Sequence, residues 1–169
     1  MTLLQRLPLP SQLGLLALLG SGALLGGAYY FQYVQGLPPC EMCYWQRYPH
    51  MVAIAAGLAA VASFASPRLA LVFTLTAITA LLVTAGLGVF HAGVEYRLWE
   101  GPQACSGTIP RGLSTEQLKK FLLGQAMVRC DVPVWKMWGI SMAGWNALLS
   151  AALAFLLAAR VAAWIRPHR

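Results

Sequence analysis

LALVFTLTAITALLVTAGLGVF, Leu69 to Phe90, contains no charged residue and is long enough to cross a bilayer, for which about 20 apolar residues suffice. A chain in hydrocarbon must pair every backbone N–H and C=O internally, so the stretch reads as a helix. Working outward, three more stretches have the same character: roughly Leu13 to Val34, Trp45 to Ala65 and Gly139 to Trp164. The whole chain agrees, with 59% apolar and 10% charged side chains among 169 residues, where soluble domains carry about a quarter charged. The expectation is a single all-α domain over residues 1–169, an integral membrane four-helix bundle with four spans and two extracytoplasmic loops. Its net charge of +7 does not indicate nucleic acid, because the basic residues lie scattered between the apolar runs instead of along one stripe. The first span is longer than the apolar region of a signal peptide. Only Arg6 precedes it and no clear Ala-x-Ala site follows, so it reads as a retained helix.

Ser66-Pro67-Arg68 is a very short connection, which makes the second and third spans antiparallel neighbours. With four spans, parity puts both termini and the Ser66 turn on one side. Loops of about 35–44 and 91–138 then share the other side, and with them all four cysteines. Arg6, Arg68, Arg160, Arg166 and Arg169 lie on the terminal side, without an acidic residue. The cysteine side holds all five acids but also seven Lys and Arg, so the positive-inside count alone does not decide orientation. The arginines clustered at the tight turn and the C-terminus favour cytoplasmic termini.

All six tyrosines and every tryptophan except Trp164 fall near the cysteine-side helix ends or in the loops. An interfacial belt explains them, and a flat aromatic ligand is a sharper use for some. Gly22 and Gly26 form a Gly-x-x-x-Gly pair, with Gly14, Gly20 and Gly27 nearby, as expected of close helix packing. In the long loop, Ser114 and Gln117 are spaced as a capping box for a short amphipathic helix bearing Leu118, Phe121 and Leu122 on one face and Lys119 and Lys120 on the other.

The chemistry concentrates in Pro38-Pro39-Cys40-Glu41-Met42-Cys43-Tyr44-Trp45-Gln46-Arg47. Two residues between cysteines bring the sulfurs within bonding reach where a helix begins, and a helix N-terminus stabilises a thiolate. A zinc site is disfavoured because Cys105 and Cys130 are too far apart to form a second knuckle, and Tyr44 in place of His removes c-type haem attachment. Arg47, one turn past Cys43, could lower the thiol pKa and hydrogen-bond a quinone carbonyl, or simply snorkel to the interface. Glu41 opposes a nearby thiolate. His91, one turn before Glu95 at the end of the third span, suits proton donation or hydrogen bonding to a quinone. Cys105 sits in a flexible Gly- and Pro-containing stretch, and Cys130 near the return to the membrane. Four cysteines allow three pairings, and a purely structural loop disulfide remains open beside redox exchange.

Cys40-x-x-Cys43-x-x-x-Arg47, His91 ahead of Cys105, and Cys130 followed by Trp135 and Gly139-Ile140-Ser141-Met142-x-x-Trp145-Asn146 together resemble the disulfide bond formation protein B (DsbB) family. The resemblance spans nearly the whole chain and implies a protein thiol:quinone oxidoreductase of the bacterial inner membrane, with cytoplasmic termini and periplasmic cysteine loops. It implies as partners a DsbA-like periplasmic thiol oxidase and the membrane quinone pool, ubiquinone or menaquinone, and it implies no metal. Carried over residue by residue, Cys105 receives the partner's thiolate. Cys130 is its original partner and attacks Cys40 once freed. Cys43 meets the quinone, with Arg47 and His91 near the quinone oxygens. Glu41 and the basic stretch around Lys119 depart from the pattern. Two alternatives remain: a structural membrane subunit braced by loop disulfides, and a vitamin K epoxide reductase-like quinone reductase, in which the Cys-x-x-Cys pair would come late in the chain.

Overall fold

The computed structural model describes residues 7–102, 114–117, 119 and 128–166. Among these, the long helices are α1 (Leu9–Tyr33), α2 (Glu41–Ala62), α3 (Pro67–Glu95) and α4 (Met142–Ile165), and a small hairpin of β1 (Lys136–Met137) and β2 (Ile140–Ser141) precedes α4. Helices α1, α3 and α4 are long and apolar enough to cross a membrane. Helix α2 has comparable length but carries Gln46, Arg47 and His50, all buried.

Helix starts follow local chemistry more than the apolar runs. Helix α3 opens on Pro67, where a missing N–H costs nothing. Helix α2 begins four residues before Trp45, because the Cys40 side chain caps it and accepts the Cys43 N–H. Helix α3 runs past Phe90 to Glu95, so His91 and Glu95 lie on its last turns instead of in a loop. The fourth helix starts at Met142 and not at Gly139, capped by Ser141 through the Gly144 N–H. The residues before it pair antiparallel, Lys136 with Ser141 and Met137 with Ile140. Trp138 and Gly139 turn this hairpin with φ of 52° and 79°, the two positive values a type I′ turn requires. Tyr96 ties the end of α3 to the hairpin, donating from its hydroxyl to the Gly139 carbonyl at 2.6 Å and accepting the Ser141 N–H at 3.2 Å.

Small residues fill the interior of the bundle: Ala17, Ala53, Ala60, Ala77 and Ala154 are fully buried around Leu81 and Leu157. Large apolar side chains such as Leu19, Leu58, Val72, Leu82, Phe155 and Leu156 point outward. This inversion of the soluble pattern is what a lipid surround permits, since close backbone approach, not burial from water, drives helix association there. Buried hydroxyls add fixed points, with Ser11 donating to the Ala60 carbonyl at 2.9 Å and Thr74 to the Pro10 carbonyl at 2.8 Å.

The glycine expectation needs correction. Gly22, Gly26 and Gly27 have open space where a Cβ would stand, so they make no close packing among the described residues. The expectation holds at Gly14 and Gly20, where a Cβ would press on Ala60 and Leu153, and tight contacts also occur at Gly57 and Gly88 against neighbouring backbone and at Gly93 against Trp99. At Ser114 the expected capping box is present, Ser114 N–H donating to Gln117 Oε1 at 3.0 Å and Gln117 N–H to Ser114 Oγ at 3.3 Å. Leu118, Lys120, Phe121 and Leu122 lie outside the described residues, as does Cys105.

A Cβ at Gly57 would lie 2.6 Å from the Gly14 carbonyl oxygen and 2.9 Å from the Leu18 nitrogen, both backbone atoms. Gly57→Ala is expected to destabilise the bundle by about 1–3 kcal/mol through overpacking. Gly86→Ala, with nothing within 4 Å, is expected not to lower stability. Unfolding of both variants in detergent, followed by circular dichroism, checks the contrast.

Candidate functional site: two sulfur centres and a cavity

Cys43, Gln46, Arg47 and His50 fall at intervals of three or four residues, so they share one face of α2. That face borders a cavity of about 410 Å³. Its other walls come from α1 (Ala23, Gly27, Phe31 and Gln32), α3 (His91 and Glu95), the hairpin region (Trp135, Met137 and Trp138) and α4 (Trp145, Asn146 and Leu149). The lining is mainly apolar and aromatic with a few converging polar groups, as expected of a site for a flat, largely apolar ligand. Phe31 and Trp135 meet with ring centroids 4.9 Å apart, and Trp138 and Trp145 at 5.9 Å. Several of the aromatics read as a possible belt are therefore walls.

The two sulfurs of the Cys-x-x-Cys pair face different ways. Cys43 borders the cavity, whereas Cys40 packs in a buried cluster with Met42, Val94 and Cys130. Cys40 and Cys43 are free thiols whose sulfurs lie 3.0 Å apart. Cys130 is disulfide-bonded. The sulfurs of Cys40 and Cys130 and a ring nitrogen of His91 all lie within 4.8 Å of one another. Such a triad could bind a thiophilic ion only with both thiols ionised, and the Cys130 sulfur is already committed to a disulfide. The Cys40 thiol is pushed well above the usual thiol range, first by its hydrogen bond with the Cys43 sulfur, then by burial and the Cys43 charge. Two thiols this close do not both ionise, so the pair carries at most one negative charge. Arg129 and Asp131 flank Cys130 and form a two-pronged ion pair at 2.8 and 2.5 Å. Hydrogen bonding to Arg129 holds the Asp131 carboxyl below the usual carboxylate range, so this brace persists into mildly acidic solution and is lost only as pH falls through the lowered value.

A continuous hydrogen-bonded network backs the cavity. Gln46 Nε2 donates to the Met42 carbonyl at 3.3 Å, which fixes the amide orientation. The same nitrogen donates to His91 Nδ1 at 2.8 Å, leaving the His91 proton on Nε2, which faces Cys40 Sγ at 3.5 Å and Glu95 Oε1 at 3.9 Å. Gln46 Oε1 accepts from Asn146 Nδ2 at 2.8 Å, and Asn146 Nδ2 also reaches Thr84 Oγ1 at 3.1 Å. Thr84 in turn donates to the Gln46 carbonyl at 2.9 Å. Pro49 lies inside α2, and its ring removes the N–H that would bond the Trp45 carbonyl one turn back. The Thr84 hydroxyl thus adds a partner to the backbone beside that gap.

Arg47 is buried, with Nη1 donating to Gln32 Oε1 at 2.5 Å. Its guanidinium lies over the rings of Tyr29 and Tyr44 at 4.9 and 5.0 Å. Among the described residues, Nε has no partner. An arginine held this way is no snorkelling side chain: the tyrosines and Gln32 fix it at the cavity wall with a donor to spare.

Of the site residues expected from sequence, Cys40, Cys43, Arg47, His91 and Cys130 converge here, and Cys105 lies outside the described residues. Sequence reading passed over Gln46, His50 and Asn146 as functional groups. The signal for the first two was present, because they stand three and seven residues after Cys43. Asn146 is brought in only by packing of α4.

Comparison with known proteins gives the lineage. The family described as disulfide bond formation protein DsbB matches residues 10–160. The chain belongs to the DsbB family. Disulfide bond formation protein B of Verminephrobacter eiseniae is 34% identical over 154 residues, covering 87% of this chain and 83% of that protein. The protein of the same name from Polaromonas naphthalenivorans is 33% identical over 168 residues, covering 94% and 97%. A Rickettsia prowazekii protein is 30% identical over 135 residues, covering 79% and 77%. No solved structure matches the chain. Membership in DsbB agrees with a mostly helical membrane protein active in disulfide bond formation.

Gln46→Leu removes the donor to His91 and the acceptor of Asn146 while keeping the side-chain bulk. It is expected to cost about 1–3 kcal/mol for buried groups left unpaired, and to free the His91 ring to turn. Thermal unfolding in detergent, with the His91 ring resonances followed by NMR, checks both effects.

Proposed function

We propose that this DsbB-family chain is a protein thiol:quinone oxidoreductase that reoxidises a DsbA-like periplasmic thiol oxidase. The carrying observation is that Cys40 faces the bonded sulfur of Cys130 while Cys43, 3.0 Å from Cys40, lines the cavity. As the family resemblance implies, Cys105 is taken as the partner of Cys130. The thiolate of the reduced partner attacks Cys105, forming a mixed disulfide and releasing Cys130 as a thiolate. In the oxidised Cys40–Cys43 pair, Cys130 then attacks Cys40, and the Cys40–Cys43 bond breaks to leave the Cys43 thiolate at the cavity wall. The second thiol of the partner resolves the mixed disulfide, so two thiols of the partner become one disulfide and Cys105 leaves as a thiolate. Cys105 then attacks Cys130, restoring their bond and releasing Cys40, and the Cys40 and Cys43 thiols would re-form their disulfide by giving two electrons and two protons to a quinone.

The cavity fits a quinone headgroup: aromatic walls, a buried cation and an unpartnered Arg47 Nε stand beside the exit sulfur. A quinone there supplies a two-electron, two-proton acceptor. Arg47 holds positive charge against the electron density that leaves Cys43, and His91 keeps a proton on Nε2 beside Cys40. Helix α2 is read as the fourth span, its polar face hidden against the cavity and its neighbours. The bilayer is taken to be the bacterial inner membrane, with cytoplasmic termini and the sulfur centres on the periplasmic side.

Purified protein in detergent, given excess reduced thiol oxidase and a soluble quinone analogue, is expected to consume the quinone as followed by absorbance. Cys43→Ser is expected to abolish consumption with the fold retained. Arg47→Met is expected to raise KM for the quinone roughly 10–100-fold, the loss of a hydrogen bond to a charged group of about 1.5–3 kcal/mol. No turnover by the wild type with either ubiquinone or menaquinone analogues contradicts the proposal.

A further inference from the structure

His50 stands one turn below Arg47 on α2, about 4.5 Å further along the helix axis, and borders the same cavity. It is 4% exposed, and its Nδ1 has no partner among the described residues. The proton position follows from its neighbours. Asn146 Nδ2 approaches the Thr84 carbonyl oxygen at 3.4 Å, a group that only accepts, so the amide nitrogen is on that side and Oδ1 on the other. Oδ1 lies 2.9 Å from His50 Nε2 and also accepts from the Ser150 hydroxyl at 3.1 Å. His50 Nε2 therefore carries the ring proton, and Nδ1 is a buried lone pair with nothing to accept. Leaving it so costs free energy unless a ligand completes it.

The cavity thus offers two unlike vacancies on successive turns of one helix, a donor at Arg47 Nε and an acceptor at His50 Nδ1. A ring with two carbonyl oxygens satisfies the donor and meets a repelling lone pair at the acceptor. A ring with two hydroxyls satisfies both, since a hydroxyl oxygen accepts and its hydrogen donates.

We propose that His50 is a specificity-determining residue of the cavity, accepting a hydrogen bond from a ring hydroxyl so that the site binds the reduced headgroup more tightly than the oxidised one. This rests on the quinone site proposed above. Tighter binding of the reduced form makes the bound headgroup a stronger acceptor for the Cys43 electrons, a tenfold preference corresponding to about 30 mV for two electrons.

The test is equilibrium binding to the whole oxidised protein in detergent, without thiol partner, so that no turnover occurs. A short-chain benzoquinone and its hydroquinone are titrated separately, and quenching of the cavity tryptophans is the readout. The wild type is expected to bind the hydroquinone more tightly. His50→Phe keeps a ring without nitrogens and leaves Asn146 Oδ1 its Ser150 donor. It is expected to weaken hydroquinone binding about 3–10-fold, the worth of one neutral hydrogen bond, with little change for the quinone. His50→Asn, which restores an acceptor near the Nδ1 position, is expected to recover part of the preference. Equal affinity of the wild type for both forms, or an equal change for both in His50→Phe, overturns the role of His50 while leaving the quinone site standing. Failure of the wild type to bind either form, together with no quinone turnover, removes the quinone site itself and His50 with it.

Discussion

A polar side chain enclosed in an apolar bundle has no water to fall back on, and each unpaired group costs several kcal/mol. Here that constraint is met by one chain of hydrogen bonds from Ser150 through Asn146 and Gln46 to His91, with Thr84 and His50 attached to it. The network joins α2, α3 and α4 and fixes two imidazoles whose proton positions matter. Because Gln46 must donate to His91, the His91 proton sits on Nε2, on the side of Cys40 and the Cys130 backbone. Because Asn146 must accept from His50, the His50 lone pair points elsewhere. The groups left without protein partners at the cavity, Arg47 Nε, His50 Nδ1 and Glu95 Oε2, belong to residues that line it. Vacancies at a cavity wall are where a ligand's polar atoms would belong; among the described residues Ser21 Oγ on α1 is also buried without a partner, away from the cavity.

The same arrangement gives direction to the sulfur chemistry. The Cys40 side chain serves as the cap of α2 and is buried toward Cys130, whereas Cys43, on the first turn, opens to the cavity. A helix start therefore acts as a partition with one sulfur on each side. Exchange between disulfides needs the attacking and attacked sulfurs in line, and electron transfer to a second substrate needs the leaving sulfur next to it. One pair of cysteines separated by two residues meets both needs because successive positions at a helix start point in different directions.

Much of this was legible in the sequence, and the remainder was not for identifiable reasons. Uninterrupted apolar runs gave the helices at Leu69–Phe90 and elsewhere, and spacing alone put Arg47 on the Cys43 face. Helix ends were misjudged where polar residues continue a helix: Glu41 follows a cysteine cap and His91 to Glu95 extends α3, neither visible as hydropathy. The Trp138-Gly139 turn passed unread, because the expected helix began at Gly139 and covered half of it. Gly22 and Gly26 form a Gly-x-x-x-Gly pair yet face open space, whereas Gly57, paired at that spacing only with Ala53, sits against backbone. His50 and Asn146 meet only because α4 packs against α3 and carries Asn146 across to α2, a contact 96 residues apart in the chain that no local pattern encodes.

The central claim is that the sulfur of Cys130 is poised to react with Cys40. A chain carrying both Cys43→Ser and Cys105→Ser retains only these two thiols, and mild oxidation in membranes followed by alkylation and mass spectrometry reads their state. A Cys40–Cys130 disulfide is expected in most molecules without added cross-linker. Two freely alkylated thiols in a folded protein would contradict it.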